Sequence, residues 1–316
     1  MANLTSFKLF YPSPDEPSIT QLLDFFESAP HLLNIQIHLV TSASDAQNDR
    51  LVPLPCLKRM KVVGVEPSSF LLKHLLIPAG AKLTTLVTHS ALIEDHLPRS
   101  LDNLQNLSNF TRISLCLGGP RPHVRFAGPD GQISIALIAI PGHTIRLALE
   151  SLTQFDTSTA ERLDIGYGAR TSIDTPYQAL LPMKNLRTLT LFRFSYLHTF
   201  MGALHPGTSS SKVVICPKLE ELVLVPRSDS EVFDIESVTK MAAARATGGA
   251  KLRTVRIADT RKKLGPWTAS ELRKHVSHVE CGPDVGGIND DSGDSDGDDS
   301  VEDGDHNDSG ESDEGD

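Results

Sequence analysis

Aromatic residues and cysteines are scarce in this sequence of 316 residues. Aromatic side chains make up only 5% of the chain, so leucine, isoleucine and valine have to supply most of the core. The four cysteines lie far apart and form no Cys-x-x-Cys pair, which argues against a disulfide framework and against a zinc site. We therefore expect reduced thiols in a cytoplasmic or nuclear protein.

Long apolar runs and catalytic motifs are also missing. The longest apolar stretch, residues 133–140, is far too short to cross a bilayer, and the start MANLTSFKLFYPSP does not have the pattern of a secretory signal. The chain has no Gly-rich phosphate loop, His-Glu-x-x-His or Gly-x-Ser-x-Gly motif. His275 and His278 lie three residues apart but have no third ligand near them in the sequence. We expect a protein that is not an enzyme and that uses no cofactor, metal ion or membrane.

A six-residue pattern, apolar-x-x-apolar-x-apolar, recurs along the chain. Its clearest copies are LRTLTL at 186–191, LEELVL at 219–224 and LRTVRI at 252–257. Softer copies begin at Leu4, Leu32, Leu57, Leu83, Phe110, Ala160 and Val276. Successive copies start 24 to 33 residues apart, with one step of 50, and this spacing is typical of a leucine-rich-repeat solenoid. The pattern predicts an α/β fold of about ten irregular repeats, with a curved parallel sheet and helices on its convex side.

Segments with helical spacing lie between the copies. Ser18 and Gln21 have the spacing of a capping box before one helix, and further helices are expected over 69–77, over 229–246 with Gly248 at its end, and from a Thr268 cap to His275. Within the long step, the Gly-Pro-Asp-Gly turn at 128–131 predicts a β-hairpin inserted between residues 120 and 150, with TIRLAL at 144–149 as a third strand. A single degenerate repeat over the same residues is the alternative.

Charge is distributed unevenly. Residues 284–316 contain 15 acidic residues and no lysine or arginine, whereas residues 1–283 contain 25 acidic and 30 basic residues, a net charge of +5. We therefore expect a repeat domain over 1–283 and a disordered acidic Asp/Gly/Ser tail over 284–316. Ser295 and Ser300 each precede an acidic residue by three positions and are candidate sites for an acid-directed kinase. The tail could also bind basic proteins, or it could shield the basic stretch from Lys251 to Lys274.

The repeat region resembles that of F-box-type leucine-rich-repeat proteins, especially those of mushroom-forming fungi. The resemblance rests on the soft repeats, their varying lengths and phrases such as SAPHLLNIQIHLV, PLPCLKRMKVVG and ICPKLEELVLV. It implies a substrate-recognition module of a ubiquitin ligase, although no helical F-box module precedes Leu4, and we expect that the F-box has been lost or lies outside this sequence. Regular repeats, such as those of Ran GTPase-activating proteins, place Asn or Cys three residues after the last strand position. This chain has Val40, Val65 and Arg227 at the corresponding positions, which argues against repeats of the regular kind.

The candidate site is the concave face of the expected sheet. Side chains alternate between the two faces of a strand, so the residues on either side of the second apolar position should point outward. The outward positions chosen as partner-binding, together with two nearby aromatic anchors, are Lys8, Arg59, Lys61, Arg112, Arg162, Thr188, Thr190, Phe192, Tyr196, Glu221 and Arg256; Thr85 and Val87 are outward positions by the same rule. We expect a monomer that binds another protein and not nucleic acid. The alternative is a nuclear, acidic-tailed protein that binds basic proteins such as histones.

Overall fold

The computed structural model describes residues 4–10, 17–39, 50–64, 68–87, 92–98, 100–107, 109–117, 122–129, 131–136, 144–166, 174–192, 197–207, 214–226, 234–258 and 266–282. The strands in these residues are β1 (Ser6–Leu9), β2 (Asn34–Leu39), β3 (Val52–Pro53), β4 (Arg59–Gly64), β5 (Leu75–Leu76), β6 (Lys82–Val87), β7 (Arg112–Cys116), β8 (His123–Ala127), β9 (Gln132–Ala136), β10 (Arg162–Gly166), β11 (Thr188–Phe192), β12 (Glu221–Val225), β13 (Thr254–Ile257) and β14 (His278–Cys281). The α-helices are α1 (Ile19–Ser28), α2 (Ser69–Leu72), α3 (Ile93–His96), α4 (Thr144–Leu152), α5 (Asp174–Leu180), α6 (Leu197–Leu204), α7 (Ile235–Thr247) and α8 (Pro266–His275). The acidic residues 284–316, with Ser295 and Ser300, lie outside the described residues.

Twelve of the strands form one sheet. Its order is β1-β2-β4-β6-β9-β8-β7-β10-β11-β12-β13-β14. Only β8 is antiparallel to its neighbours, and every other pairing in this sheet is parallel. The short strands β3 and β5 form a separate parallel pair. The fold is therefore α/β, with a wide and mostly parallel sheet.

One face of the sheet forms the core together with the helices. The inward side chains of β10, β11 and β12 are Leu163 and Ile165, Leu189 and Leu191, and Leu222 and Leu224, and all six are buried in the same cluster as the apolar sides of the helices. Burying a leucine or isoleucine side chain stabilises the fold by about 1.5–3 kcal/mol. From α2 to α8, each helix packs against the next one along the chain. The helices therefore form one layer on this face.

The capping box before α1 is confirmed. The Ser18 hydroxyl accepts a hydrogen bond from the Gln21 main-chain N–H at 3.2 Å, and the Gln21 side-chain oxygen accepts one from the Ser18 N–H at 2.8 Å. Both donors would otherwise lack a partner, because the first N–H groups of a helix have no acceptor within the helix. Ile19, Leu22 and Phe26 then bury the apolar side of α1.

Helix α7 carries a fully buried arginine. The Arg245 guanidinium donates to the main-chain oxygens of Ile215 and Cys216, each at 2.8 Å. These hydrogen bonds hold the segment before β12 against α7. Cys216 has a positive φ of 47°, which L-residues rarely adopt. Burial raises the pKa of its thiol to about 12, against a smaller lowering by Arg245. This corner therefore has a structural role.

Three local predictions are wrong. TIRLAL at 144–149 is not a third strand but the beginning of α4, which packs between α3 and α5. The helix expected over 69–77 ends at Leu72, and the chain then forms strand β5. The last helix starts at Pro266, so Thr268 lies inside α8 and does not cap it.

The two strands that flank the Gly-Pro-Asp-Gly turn are β8 and β9, and they pair with each other inside the main sheet.

Candidate functional site: the open face of the sheet

The face of the sheet opposite the helices, here called the open face, presents unbroken rows of side chains. The strand registers align one residue from each of the twelve strands in a middle row. In sheet order this row is Lys8, Gln36, Lys61, Thr84, Ser134, Arg125, Ser114, Asp164, Thr190, Val223, Arg256 and Glu280. The first row, two residues earlier on the parallel strands, is Ser6, Asn34, Arg59, Lys82, Gln132, Ala127, Arg112, Arg162, Thr188, Glu221, Thr254 and His278. Neighbouring strands lie about 4.8 Å apart, so each row is a closely spaced line of groups.

The open face has a basic side and a neutral side. On β1, β2, β4, β6, β9 and β8 it carries five bases and no acid, and the bases are Lys8, Arg59, Lys61, Lys82 and Arg125. On the other six strands, β7, β10, β11, β12, β13 and β14, it carries three bases and three acids. These are Arg112, Arg162, Arg256, Asp164, Glu221 and Glu280. The face as a whole therefore has eight bases and three acids, a net charge of +5.

Most of the sequence-predicted residues do lie on this face. Lys8, Arg59 and Lys61 are exposed, and Arg112, Arg162, Thr188, Phe192, Glu221 and Arg256 are partly exposed. On the neutral side, the Thr188 hydroxyl donates to Glu221 at 3.2 Å, and Arg256 lies between Glu221 and Glu280 at 3.1 and 2.9 Å. These charges already neutralise one another, so this side offers less to a charged partner.

Thr190 was predicted as a contact residue, and this prediction is wrong. Thr190 lies in the middle row, but its exposed fraction is 0%, and its neighbours in the row, Asp164 and Val223, are also buried. A side chain with no exposed surface cannot contact a partner without a rearrangement of the sheet. Thr85 was also expected to point outward and is buried, because β6 aligns Thr85 with the core residue Val62. The side chain of Val87 lies outside the described residues.

Phe192 lies flat against the sheet. It pairs with Gly166 of β10, and a Cβ atom on Gly166 would overlap the Phe192 ring. The missing side chain of Gly166 therefore makes room for the ring. Phe192 is a fixed part of the surface and not a projecting anchor. Tyr196, the other predicted anchor, lies outside the described residues.

Asp164 joins two arginines at the boundary between the two sides. Its side chain is 3% exposed, whereas the side chains of Arg112 and Arg162 are 43% and 39% exposed. Arg112 Nε donates to Oδ2 at 2.8 Å, and Arg162 Nε donates to Oδ1 and Oδ2 at 3.0 Å each. A buried carboxylate needs such partners, because without them its loss of hydration is expensive. The carboxylate thus fixes two guanidinium groups side by side.

Lys82 and Arg125 belong to the basic side, but the repeat pattern did not indicate them. Lys82 was missed because the copy beginning at Leu83 sets the frame of β6 incorrectly. Arg125 was missed because β8 belongs to the inserted hairpin and lies outside the repeat. The alternation of HVRFA, with Val124 and Phe126 buried, is the signal that could have placed Arg125 outward.

The basic side affects the ionisation of one histidine on it. The pKa of His38 lies below its ordinary value of 6.5, first because His38 is partly buried and second because of the charge of Lys61. The His38 ring also contacts the ring of Phe10, with 4.6 Å between the centroids, and lies 3.3 Å from the Gln36 amide nitrogen. The pKa of His38 is therefore sensitive both to its burial and to the positive charge of Lys61 on this face.

In the part of the chain that the structure describes, no group of three or more His, Cys, Asp or Glu side chains could hold a metal ion. No helix within the same residues is long and apolar enough to cross a membrane. The class that the fold defines is thus an α/β protein with a broad, mostly parallel sheet and one open face. Comparison of the chain with protein-family models, curated proteins and solved structures finds no match.

Proposed function

We propose that this protein is a non-catalytic scaffold that binds another protein on the open face of its sheet. In this proposal the sheet and its helix layer are a solenoid of leucine-rich repeats, related to the substrate-recognition region of F-box-type ubiquitin-ligase adaptors. The single observation that carries the proposal is the charge of the open face. Five bases and no acid lie on six adjacent strands, along rows that the strand registers keep in line.

The partner that fits this face is an acidic segment or surface. Opposite charges accelerate the encounter and align the two partners, and they do so most strongly at low salt. Lys8, Arg59 and Lys61 are exposed, so a partner can reach them without a rearrangement of the sheet. The residues around Arg256 are closely paired with one another and less available, and this supports an interface centred on the basic side.

Charge reversal tests the location of the interface. Full-length protein with Arg59→Glu and Lys61→Glu should lose its partners from a cell lysate, with affinity reduced about tenfold or more, since two attractive contacts become repulsive. The matched control reverses two exposed bases on the helix layer, Lys240→Glu and Arg273→Glu. Proteins captured by the wild type and the control, but not by the first variant, support the proposal. Equal capture by all three forms would refute an interface on this face.

Mass spectrometry of the captured proteins tests the ligase relationship. The adaptor proposal expects ubiquitin-ligase subunits, or a discrete substrate whose level rises when this protein is removed. If neither is found, the adaptor proposal is overturned, while a scaffold of another kind stays compatible with the charge-reversal result.

A second candidate function rests on the acidic stretch at the C-terminal end of the sequence. Residues 284–316 contain 15 acidic residues and no lysine or arginine, a composition that suits a binder of basic proteins such as histones. Deletion of 284–316 separates the two functions. Loss of a basic partner on deletion favours the second, whereas unchanged capture of the partner favours the open face.

A further inference from the structure

Three arginines lie on the adjacent strands β8, β7 and β10, where the basic and neutral sides of the open face meet. Arg162 and Arg112 are direct neighbours across β10 and β7. Arg125 on β8 is opposite Ser114, which lies two residues after Arg112 on β7. Side chains in such a diagonal position have Cβ atoms about 7–8 Å apart, which long arginine side chains easily span. Arg112, Arg125 and Arg162 are called the arginine cluster below.

Two members of the cluster are held in place before any ligand arrives. All hydrogen bonds from Arg112 and Arg162 to Asp164 come from Nε, and the Nη nitrogens take no part in them. Both side chains are about two-fifths exposed, which leaves them accessible to a ligand from solvent. An arginine that is already oriented loses less conformational entropy when it binds, and this favours binding.

The third member lacks a counter-charge. Within the described residues, Arg125 has no ion pair, and its Nε is buried without a hydrogen-bond partner. Its direct cross-strand neighbours on the open face are Ser114 and Ser134, which are small and neutral. Arg125 as a whole is partly exposed, so a negatively charged acceptor can approach the exposed part of its guanidinium side chain and supply the missing counter-charge.

The charge of the cluster matches a phosphate group. Three arginines and one aspartate sum to +2, because 3 − 1 = 2. A phosphate monoester carries about −1.5 to −2 charges at pH 7 and presents three acceptor oxygens, whereas a carboxylate carries −1 and presents two. Arginine pairs bind phosphate in a bidentate manner, which is stronger than a contact with a neutral group. A phosphate therefore satisfies the cluster more fully than Asp or Glu can.

We propose that the arginine cluster binds a phosphorylated serine or threonine within an acidic segment of the partner protein. This inference rests on the proposed function of the open face. The Ser114 hydroxyl stands between Arg125 and Asp164 in the middle row and can donate to the same phosphate.

The remaining bases suggest where the acidic residues of that segment lie. In sheet order, Lys82 is two strands from Arg125, and Arg59 and Lys61 are three strands away. At about 4.8 Å per strand these distances are about 10 and 14 Å, which an extended chain at about 3.3 Å per residue covers in three to five residues. Acidic residues three to five positions from the phosphorylated residue should therefore strengthen binding.

Synthetic peptides and the full-length protein test the proposal. Three fluorescent peptides of about 12 residues, rich in Asp and Gly and about 40 Å long when extended, carry phosphoserine, serine or glutamate at one central position. Fluorescence anisotropy at a single salt concentration should show that the phosphopeptide binds about tenfold more tightly than the other two. Its affinity should also fall as the pH drops below about 6, where the phosphate takes up a proton.

Variants separate the cluster from general charge. Arg125→Gln should weaken phosphopeptide binding about tenfold and weaken binding of the serine peptide less than about threefold. Arg125→Lys should behave similarly, because lysine keeps the charge but loses the planar fork. Lys61→Gln should weaken both peptides equally. Arg146→Gln is the matched control, since Arg146 lies on α4 in an exposed ion pair with Glu150, and it should change neither affinity. Circular dichroism melts verify that each variant is folded.

The failure of this inference can be told apart from the failure of the proposed function. Equal binding of all three peptides, weakened equally by Lys61→Gln and Arg125→Gln, would overturn the phosphate site but support an acidic partner on the open face. Competition by millimolar inorganic phosphate should be stronger for the phosphopeptide than for the serine peptide. Equal competition would also overturn the site. Absence of any peptide binding refutes the site, and the charge-reversal capture then decides the proposed function independently.

Discussion

Replacing Asp164 with asparagine is the most informative single change, because it removes one charge and almost no volume. The side chain is buried, and both of its partners are arginines, at 2.8 and 3.0 Å. In Asp164→Asn the two guanidinium groups remain side by side on β7 and β10 without the carboxylate between them. We expect the variant to fold, with a lower free energy of unfolding.

The size of the loss follows from two opposing effects. At an effective dielectric constant of about 20, each arginine–carboxylate pair is worth about 4 kcal/mol, whereas the repulsion between the two guanidinium groups is present in both forms and cancels. The desolvation of Asp164 that the variant avoids offsets several kcal/mol of this. The arginines are about two-fifths exposed, so water screens what is left. We therefore expect a net destabilisation of about 2–3 kcal/mol, well below the sum of the two pairs.

Urea denaturation measures this difference, and Glu221→Gln is the matched control. Glu221 also pairs with an arginine on the open face, at 3.1 Å, but its side chain is 26% exposed. A partly exposed pair should contribute less than about 1 kcal/mol. If Asp164→Asn is no less stable than Glu221→Gln, the idea that Asp164 orders the arginine cluster is refuted.

Three further outcomes are expected. In an NMR titration His38 should have a pKa below 6.5, and Lys61→Gln should raise this pKa only partway, because burial is the larger cause. The folded state favours the neutral ring. The stability that His38 contributes is therefore present above pH 6.5 and is lost as the pH falls through the folded pKa. At pH 8, iodoacetamide should modify the exposed Cys281 in the folded protein but Cys216 only after unfolding, since the Cys216 thiol is buried with a pKa of about 12; mass spectrometry identifies the modified peptides, and equal labelling would contradict the buried position. Arg245→Met should lower the free energy of unfolding by about 3 kcal/mol, because two buried main-chain oxygens lose their donors; a change below about 1 kcal/mol in urea would show that this arginine is not needed.

Local signals in the sequence correctly predicted the elements that have strong patterns of their own. The capping box at Ser18 and the apolar spacing of Ile19, Leu22 and Phe26 define α1 without help from the rest of the chain. The leucine copies at Leu189 and Leu222 likewise coincide with strands in register. In α1 the hydrogen bonds come from neighbouring residues, and in the strands each copy carries its own apolar core positions, so a short window of sequence contains the information.

Other elements depend on contacts between distant residues. TIRLAL alternates like a strand, yet it forms α4, because its place between α3 and α5 in the helix layer decides its conformation. In β6 both Leu83 and Leu86 are apolar, so the sequence does not show which of them faces the core. Pairing with β4 decides it, and a threonine, Thr85, takes the core position opposite Val62.

The arginine cluster is the clearest case in which an irregularity of the chain produces a site. The parallel strands β7 and β10 bring only Arg112 and Arg162 together. The hairpin of β8 and β9 inserts between β7 and β6, and its antiparallel strand β8 places Arg125 opposite Ser114. Without the hairpin, β6 would be the next strand on this side, with the uncharged Thr84 in the middle row and Lys82 in the same row as Arg112. The inserted hairpin, which breaks the repeat in the sequence, thus supplies the third arginine of the cluster, where β6 would offer only a lysine.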